Sequence, residues 1–396
     1  MKYLCEVFEK PISGEWGTEA IDNNGVRVIR TTNFTNLGKL DLNKEVAIRK
    51  IDDKIIAQKK LLYGDIIIEK SGGSPNQPVG RVVFFDKKET TYVCNNFTAI
   101  LRTKKDSYPK YVLYSMLHLY NTKAVAKFQN KTTGIINLKL NDYLERNQIP
   151  LPPLETQKKI AEVLDIAQEL IDKRKQQIEL LDKFLQSLFI DMFGDPVTNS
   201  KGWTKKRLDE ITQSRLGKML DIKNNNGVNP KPYLANQNVQ WFRFDLSSLK
   251  YMDFSENEMN EFILIEGDLL ICEGGDIGRS AIWKGQYTEC YFQKALHRVR
   301  CNRKLIIPEY LAYWFWFLSK KTGFKDIVGA ATIAHLTGVK LKALEIPLAP
   351  IDIQNKFAEI VETTEKQREL MERSLALMEQ NLKGLMQRAF RGELFN

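Results

Sequence analysis

Acidic, basic and nucleophilic residues are plentiful in this 396-residue chain, yet their spacing matches no catalytic site. Asp65 followed by Glu69 and Lys70 loosely resembles the spacing of metal-dependent nucleases, but a later copy of the same pattern has Cys272 and Glu273 at the last two positions. The three histidines lie far apart, without a metal-ligand companion at helical or loop spacing. P-loop, dinucleotide-binding and nucleophile-elbow motifs are missing. We therefore predict no catalytic residue and no metal site.

Two glycine-rich loops are better suited to contact with nucleic acid. Glycine lets the backbone approach a phosphate closely, and the arginine that ends each loop has the length and donors to reach a phosphate or a base edge. A plain β-turn with a solvated arginine is the alternative for either loop taken alone, and recurrence favours binding. The candidate DNA-binding residues are Lys70, Ser71, Gly72, Gly73 and Arg81 in the first loop and Gly274, Gly275 and Arg279 in the second.

Other stretches supply further candidates. A polar stretch at 129–134 has side chains that bond phosphates and adenine edges, and its counterpart at 326–332 is much less polar. The stretch 241–244 alternates like a strand and directs its arginine outward, whereas the aromatic run 313–317 matches an ordinary apolar helix and indicates core packing. These stretches and the repeated segment 28–33 add Arg30, Asn130, Lys131, Thr132, Thr133 and Arg243 to the DNA-binding candidates.

Two long helices are predicted to position these loops, because one heptad pattern occurs twice. Apolar residues fall at alternating steps of four and three in 160–192 and again in 357–389, which is the spacing of a helix that packs along one partner helix. Arg174 and Arg368 are the charged exceptions, and we predict that they fix the register of the pair. The predicted coiled-coil seam consists of Ile160, Leu164, Ile171, Ile178, Leu181, Leu185, Leu188, Phe357, Val361, Met371, Leu375, Met378, Leu382 and Leu385.

The two helices are predicted to run antiparallel. A helix of about 33 residues is ~50 Å long, so a parallel pair would force the intervening domain to enter and leave at opposite ends of it. Domain termini usually lie close together. Antiparallel pairing therefore suits a chain in which one domain joins the two helices.

The segment before each helix also recurs. Gly64-Asp65 and Gly267-Asp268 each introduce an apolar run of strand length. Further on, a proline-rich link leads in both copies to a glutamine on the first turn of the long helix, at Gln157 and Gln354. A domain followed by a helix is therefore one unit used twice, and such duplication produces a pseudo-two-fold object.

Strands, turns and short helices interleave in each domain without the βαβ rhythm of a doubly wound sheet. We therefore predict an α+β fold, with two pseudo-two-fold related α/β domains separated by an antiparallel coiled coil of two long helices. The predicted divisions are 1–153 for the first domain, 154–194 for the central long helix, 195–350 for the second domain and 351–396 for the C-terminal long helix.

Composition limits the class of protein. The 59 basic residues exceed the 49 acidic ones by ten, which permits binding to a polyanion. Five scattered cysteines form no CxxC pair and suit a reducing cytosol, so we expect a cytoplasmic protein. No apolar run reaches the roughly 18 residues of a membrane span, so we expect no membrane association.

The whole chain closely resembles the DNA-specificity subunit of type I restriction-modification systems. The resemblance rests on the order of domain, helix, domain and helix, on the stretch 149–154 followed by Gln157, on the two Gly-Asp pairs before the glycine loops, and on Phe193-Gly194-Asp195 at the end of the central helix. The second copy departs from the first at Ala349, where the first has a proline, and it has no close match to Asn137.

This resemblance implies two target recognition domains, each reading one half of a split site in double-stranded DNA. The paired helices would separate the domains and dock two modification (methyltransferase) subunits, which restriction and translocation subunits would join. S-adenosylmethionine, ATP and Mg²⁺ would serve those partners, and this chain would hold no cofactor. A self-contained DNA-modifying or DNA-cleaving enzyme and a scaffold that does not bind DNA are the alternatives.

Overall fold

The computed structural model describes residues 1–21, 24–74, 77–132, 135–220, 227–321, 324 and 335–394. The chain folds into two compact units. Unit 1 comprises Met1–Lys175 and Arg373–Asn396, and unit 2 comprises Gln176–Glu372. Each unit therefore contains one globular part together with a portion of each long helix.

Unit 1 mixes short strands with short helices. Its strands are β1 (Lys2–Tyr3), β2 (Ile12–Ser13), β3 (Thr18–Glu19), β4 (Val26–Ile29), β5 (Ala47–Lys50), β6 (Ile66–Glu69), β7 (Ser71–Gly73), β8 (Val82–Phe84), β9 (Tyr92–Cys94), β10 (Thr98–Leu101), β11 (Gln129–Thr132), β12 (Ile135–Leu138) and β13 (Gln148–Ile149). Its helices are α1 (Leu4–Val7), α2 (Asp53–Lys59), α3 (Pro109–Asn121), α4 (Leu140–Arg146) and the first part of α5 (Leu154–Phe193).

Two four-stranded sheets form the centre of unit 1, in the orders β2-β10-β6-β8 and β3-β5-β4-β9. The apolar run Ile66–Ile68 lies in the middle of the first sheet and is fully buried, as expected for a strand covered on both faces. In the second sheet β4 pairs with β9 in parallel. A three-stranded sheet, β11-β12-β7, joins the first glycine loop to the polar stretch that contains Asn130.

Unit 2 repeats this plan. Its strands are β14 (Lys205–Arg207), β15 (Thr212–Leu216), β16 (Pro230–Leu234), β17 (Val239–Gln240), β18 (Arg243–Phe244), β19 (Lys250–Asp253), β20 (Leu269–Cys272), β21 (Ser280–Ile282), β22 (Tyr291–Phe292), β23 (Leu296–Cys301) and β24 (Glu345–Pro347). Its helices are α6 (Leu208–Ile211), α7 (Glu256–Phe262), α8 (Pro308–Lys321), α9 (Gly338–Lys342) and the first part of α10 (Ile351–Phe390), together with the end of α5.

The sheets confirm the predicted duplication. The order β15-β23-β20-β21 in unit 2 matches β2-β10-β6-β8 in unit 1, and β19-β16-β22 matches β5-β4-β9, including one parallel pair in each. Proline stands at the first position of the equivalent helices α3 and α8, where its missing N–H costs no hydrogen bond. The predicted α+β fold is confirmed, and all but one of the strand pairs between named strands in each unit are antiparallel.

The long helices α5 and α10 run antiparallel, as predicted. In unit 1 the core that buries Ile160 near the start of α5 also contains Met386 near the end of α10. In unit 2 the core that buries Phe189 near the end of α5 contains Phe357 near the start of α10. Each unit therefore packs the beginning of one helix beside the end of the other.

None of the predicted seam residues is exposed. Residues towards the helix ends, among them Leu164 and Val361, are buried in the unit cores, whereas Ile178 and Leu375 near the middle are half-buried. Arg368 donates a hydrogen bond to Asp182 on the other long helix. This ion pair is consistent with a role in register, which stays a prediction.

The first long helix ends at Phe193, as the sequence predicts. Gly194 adopts a positive φ of 78° and donates a hydrogen bond to the carbonyl of Ile190 at 2.8 Å, which caps the last turn. The indole N–H of Trp203 donates to the Phe193 carbonyl at 2.9 Å. Among the described residues, no helix is both long and apolar enough to cross a membrane.

Candidate nucleic-acid interface

A buried carboxylate stabilises the turn before the central strand in each unit. Asp65 is 2% exposed and accepts two hydrogen bonds at 2.8 Å from Arg102, while the equivalent Asp268 accepts bonds at 2.7 and 3.2 Å from Arg300. Each aspartate also accepts from a backbone N–H three residues earlier. Both carboxylates are thus held in bidentate ion pairs. Asp65, whose spacing resembles that of a nuclease site, therefore has a structural role.

The arginine that ends the first glycine loop lies beside a second buried carboxylate. The Nε and Nη2 atoms of Arg81 donate to the two oxygens of Glu69, both at 2.9 Å, and Nη2 also donates to the carbonyl of Thr31 at 3.2 Å. Glu69 is 2% exposed and the Arg81 side chain is 11% exposed. Burial acts against the charge of Arg81, but the Glu69 carboxylate outweighs it and raises the arginine pKa above its ordinary value.

The second glycine loop has the same arginine with different partners. Arg279 donates from Nη2 to the carbonyl of Asn236 at 3.0 Å and to its side-chain oxygen at 3.2 Å. The amide nitrogen of Asn236 in turn donates to the carbonyl of Gly274 at 3.0 Å. The structure therefore brings the predicted candidates Gly274, Gly275 and Arg279 together around Asn236, a residue that the sequence did not single out.

Both arginines hold a short 3-10 turn that an asparagine stabilises from within. The Asn33 side chain accepts from Arg30 N–H at 3.0 Å and donates to two backbone carbonyls, and Asn238 does the same in unit 2, accepting from Ala235 N–H at 2.9 Å. Both asparagines are buried. Sequence reasoning found the repeated segment but missed this role, although the asparagine recurs at the same place in both copies.

The backbone of the glycine loops differs in accessibility between the units. Gly72 is exposed at φ 101°, and a side chain added there would meet no heavy atom within 4 Å. At Gly274 the added carbon would lie 3.2 Å from the imidazole of His335. A phosphate therefore has open access to the backbone at Gly72, whereas His335 covers one side of the second loop.

A polar cavity of about 710 Å³ opens beside the first glycine loop. It brings together the predicted candidates Gly72, Gly73 and Arg81 with the hydroxyl, amide and amino groups of several side chains that the sequence did not single out. Among these are Thr31, Thr32, Asn36, Ser74, Gln77 and Lys44. Such groups bond phosphates and base edges, so this surface of unit 1 suits nucleic acid.

Lys70 lies apart from that cavity, in another of about 420 Å³ that Ser13 and Lys139 also line. Its amino group donates to the Ser13 hydroxyl at 2.7 Å, and burial lowers the lysine pKa. Ser71 follows on β7 and is half-buried. Lys70 therefore belongs to a separate polar cavity of unit 1, and its predicted contact with DNA stays a prediction.

The remaining candidates are scattered. Arg30 donates to the carbonyl of Glu45 at 3.1 Å, and Asn130 is exposed on β11. Thr133 lies outside the described residues, as do the side chains of Lys131 and Thr132.

The aromatic stretches show one correction and one confirmation. The segment 241–244 is not a continuous strand, because Trp241 and Phe242 form the turn between β17 and β18 and Phe242 has a positive φ of 64°. Arg243 is nevertheless exposed on β18, as predicted. The run 313–317 is packed in the core of unit 2, as the sequence indicated.

In the part of the chain that the structure describes, no group of three or more histidine, cysteine or acidic side chains is arranged so that it could hold a metal ion. His297 is buried and bonds through Nε2 to the carbonyl of Leu336 at 2.8 Å. His118 lies against the ring of Phe390, with ring centroids 5.4 Å apart. Both histidine side chains thus contact neighbouring groups of the fold.

Comparison with known proteins agrees with this duplicated arrangement. The EcoKI specificity subunit of Escherichia coli strain K12, a type I restriction enzyme subunit, is 25% identical over 394 residues, covering 93% of this chain and 82% of its own. Among solved structures, a chain from work on assembly and conformational transition of the type I restriction-modification system covers 99% of this chain and 97% of its own, with a TM-score of 0.62 at 16% identity.

The type I S subunit from M. genitalium covers 98% of this chain and 95% of its own, with a TM-score of 0.54 at 15% identity. These two structures share the fold. The family model of the type I restriction modification DNA specificity domain matches twice, at residues 1–180 and 200–380, which are the two copies found above. This chain therefore belongs to the family of type I restriction-modification DNA specificity subunits.

Proposed function

We propose that each unit reads one half of a bipartite DNA target and that the paired helices set the spacing between the halves. The chain recognises DNA sequence as a non-catalytic subunit of its family. The observation that carries the proposal is the duplication of one constellation, a glycine loop whose arginine holds a 3-10 turn, once in each unit. Two copies of one reading surface suit a target with two parts.

Hydrogen bonds fix the globular part of each unit to the long helix that follows it, which supports a role of the helices in setting the spacing between the half-sites. Gln157 is buried in the first turn of α5, where it accepts from the N–H of Tyr108 at 2.8 Å and donates to the carbonyls of Asp106 and Pro152 at 3.0 and 2.8 Å. One residue thus joins the start of the long helix, the proline-rich link and the loop before α3.

Gln354 makes the equivalent bonds in unit 2, accepting from Ile307 N–H at 3.1 Å and donating to the carbonyls of Leu305 and Ala349 at 3.1 and 2.7 Å. The bond to Ala349 uses its backbone, so the replacement of the proline found in the first copy leaves this contact intact. The helix and the globular part of each unit are therefore fastened together in the same way.

Apolar side chains on the solvent-facing sides of the long helices suit the docking of two modification subunits. Exposed apolar side chains that lie together on a helix surface can form part of an interaction site. In unit 1 these are Ile166, Leu170 and Leu377, and in unit 2 they are Leu180, Phe184 and Leu370. Within this proposal the complex works in the cytoplasm with restriction and translocation subunits, and S-adenosylmethionine, ATP and Mg²⁺ serve those partners.

This spacing role is tested by inserting one heptad into each long helix, between residues 175 and 176 and between 372 and 373. Seven residues add about 10 Å of helix, which is about three base pairs of duplex at ~3.4 Å each. Methylome sequencing of a host that expresses the full system should show a longer gap and unchanged half-sites. A matched variant with one heptad replaced and none inserted should keep the original gap, and altered half-sites with an unchanged gap would contradict the proposal.

A further inference from the structure

The two glycine-loop arginines occupy equivalent positions beside different residues. Arg81 accepts at its carbonyl a hydrogen bond of 2.9 Å from the N–H of Glu69, and Arg279 accepts one of 2.8 Å from the N–H of Cys272. Glu69 and Cys272 are the last residues of the equivalent strands β6 and β20. The copies thus differ by one buried charge at this point, a carboxylate in unit 1 and a thiol in unit 2.

The thiol does not replace the missing carboxylate. Burial raises the pKa of Cys272 to about 11, although the nearby Arg279 opposes the shift, so the group is uncharged near neutral pH. Both Asn236 oxygens that accept from Arg279 are neutral as well. The Arg279 Nε atom is buried and has no hydrogen-bond partner among the described residues.

One carboxylate lies within reach but compensates weakly. Asp276 is 4.0 Å from Arg279 Nη1, its side chain is 43% exposed, and it already accepts a hydrogen bond of 3.0 Å from the indole of Trp241. Water screens an ion pair of this length and exposure. The Arg279 side chain, 19% exposed, therefore has no buried carboxylate partner in the described part of unit 2.

We propose that Arg279 of unit 2 donates hydrogen bonds to DNA, either to a phosphate oxygen or to the O6 and N7 atoms of a guanine. Arg81 instead stabilises the fold of unit 1. The inference rests on the proposed function and assigns different roles to the equivalent arginines of the two units. A partly buried guanidinium without a close carboxylate is poorly compensated, and an incoming acceptor supplies the missing charge-assisted hydrogen bonds. Arg81 has its counter-charge already.

The test moves the buried carboxylate from one unit to the other. Cys272→Glu in the full chain gives Arg279 the partner that Arg81 has, and Cys272→Ser is the matched neutral control. Binding to a duplex with the methylome-derived target is measured by fluorescence anisotropy over a range of salt concentrations. We expect Cys272→Glu to weaken binding at low salt and Cys272→Ser to bind as the original chain does.

The salt dependence distinguishes the two kinds of acceptor. A lost phosphate contact lowers the slope of log K against log salt by about 0.9 and weakens binding to all sequences alike. A lost guanine contact leaves that slope nearly unchanged and weakens binding to the cognate duplex alone. Arg279→Gln, which keeps a donor for Asn236 and removes the charge, should reproduce whichever result Cys272→Glu gives.

Unchanged affinity and slope in both Cys272→Glu and Arg279→Gln, with specific binding by the original chain, would overturn the inference and leave the proposed function intact. Absence of specific binding by the original chain, in complex with its modification subunits, would instead remove the proposed function. Glu69→Cys is the reciprocal variant. It frees the charge of Arg81 and should steepen the salt slope, and a shallower slope would contradict the role given to Glu69.

Discussion

The two units share a hydrogen-bonded skeleton but fill it differently. In unit 2 the ring of Phe242 stacks on Tyr313 at 4.4 Å between centroids. At the corresponding hairpin tip of unit 1 stands Gly38, also at positive φ, and close to Leu117 of α3. A cavity of about 260 Å³ lies in unit 1 beside Tyr114, the counterpart of Tyr313.

A second difference of the same kind occurs on the equivalent strands β10 and β23. The imidazole of His297 fills its site in unit 2, and the position that matches it in unit 1 is Ala99, which lines the 420 Å³ cavity with Lys70. The aspartate–arginine pairs Asp65–Arg102 and Asp268–Arg300 and the glutamine contacts are thus kept between the copies, whereas the Glu69–Arg81 pair and the side-chain volumes are not. Directional bonds specify the geometry of a unit, and its packing is free to diverge once they are in place.

The largest effect should come from removing a ring from the unit 2 cluster. Phe189 is fully buried and lies 4.9 to 5.8 Å from five other rings, so Phe189→Ala should lower the free energy of unfolding by about 4 kcal/mol. Its counterpart Met386 borders the unit 1 cavity, and Met386→Ala should cost about 2 kcal/mol. Urea unfolding followed by circular dichroism measures both, and equal losses would erase this contrast.

An intermediate effect, equal in the two units, is expected for the ion pairs that they share. Asp65→Asn and Asp268→Asn should each cost about 3 kcal/mol, because the change removes the counter-charge of a partly buried arginine. The partner arginines are about a third exposed, which keeps the loss at the low end for such pairs. The exposed pair Glu169–Lys173 is the control, and Glu169→Gln should change unfolding little. If only one of the two aspartate variants lowered the free energy of unfolding, the two ion pairs would contribute unequally to stability despite their shared geometry.

The smallest effect concerns pH. Burial lowers the pKa of His297 in unit 2, and burial together with Arg391 lowers that of His118 in unit 1. A histidine with a lower pKa in the folded state binds more protons when unfolded, so stability is full above the ordinary pKa of about 6.5 and is lost as pH falls through the folded pKa. His297→Gln should flatten this loss more than His118→Gln, because His297 is more deeply buried. Thermal unfolding between pH 7.5 and 5 measures both slopes.

The sequence predicted the features that repetition reveals. Heptad spacing located both long helices, and recurrence pointed to Gln157 and Gln354 before their contacts were known. Glycine and proline marked helix boundaries at Gly194 and Pro109, because each residue has a local conformational requirement. These features depend on near neighbours along the chain or on a comparison of the two copies.

Long-range partners could not be predicted in the same way. Arg102 lies 37 residues from Asp65, and nothing in the spacing distinguishes it from a solvated arginine. The strand expected at 241–244 failed because Phe242 adopts a positive φ, a conformation that glycine usually supplies. Such choices are made by tertiary packing, which a linear pattern does not record.

The short ladders at the base of each unit have an evolutionary consequence. Strand β1 pairs with β13, and β14 pairs with β24. The first and last strands of each globular part therefore lie side by side, and the last strand leads into the long helix. Everything between the two strands of a ladder is a closed insert whose two ends meet the same neighbour. Recombination at those ends can exchange a whole globular part in one event. New specificities can therefore arise by exchange of globular parts while the long helices stay unchanged.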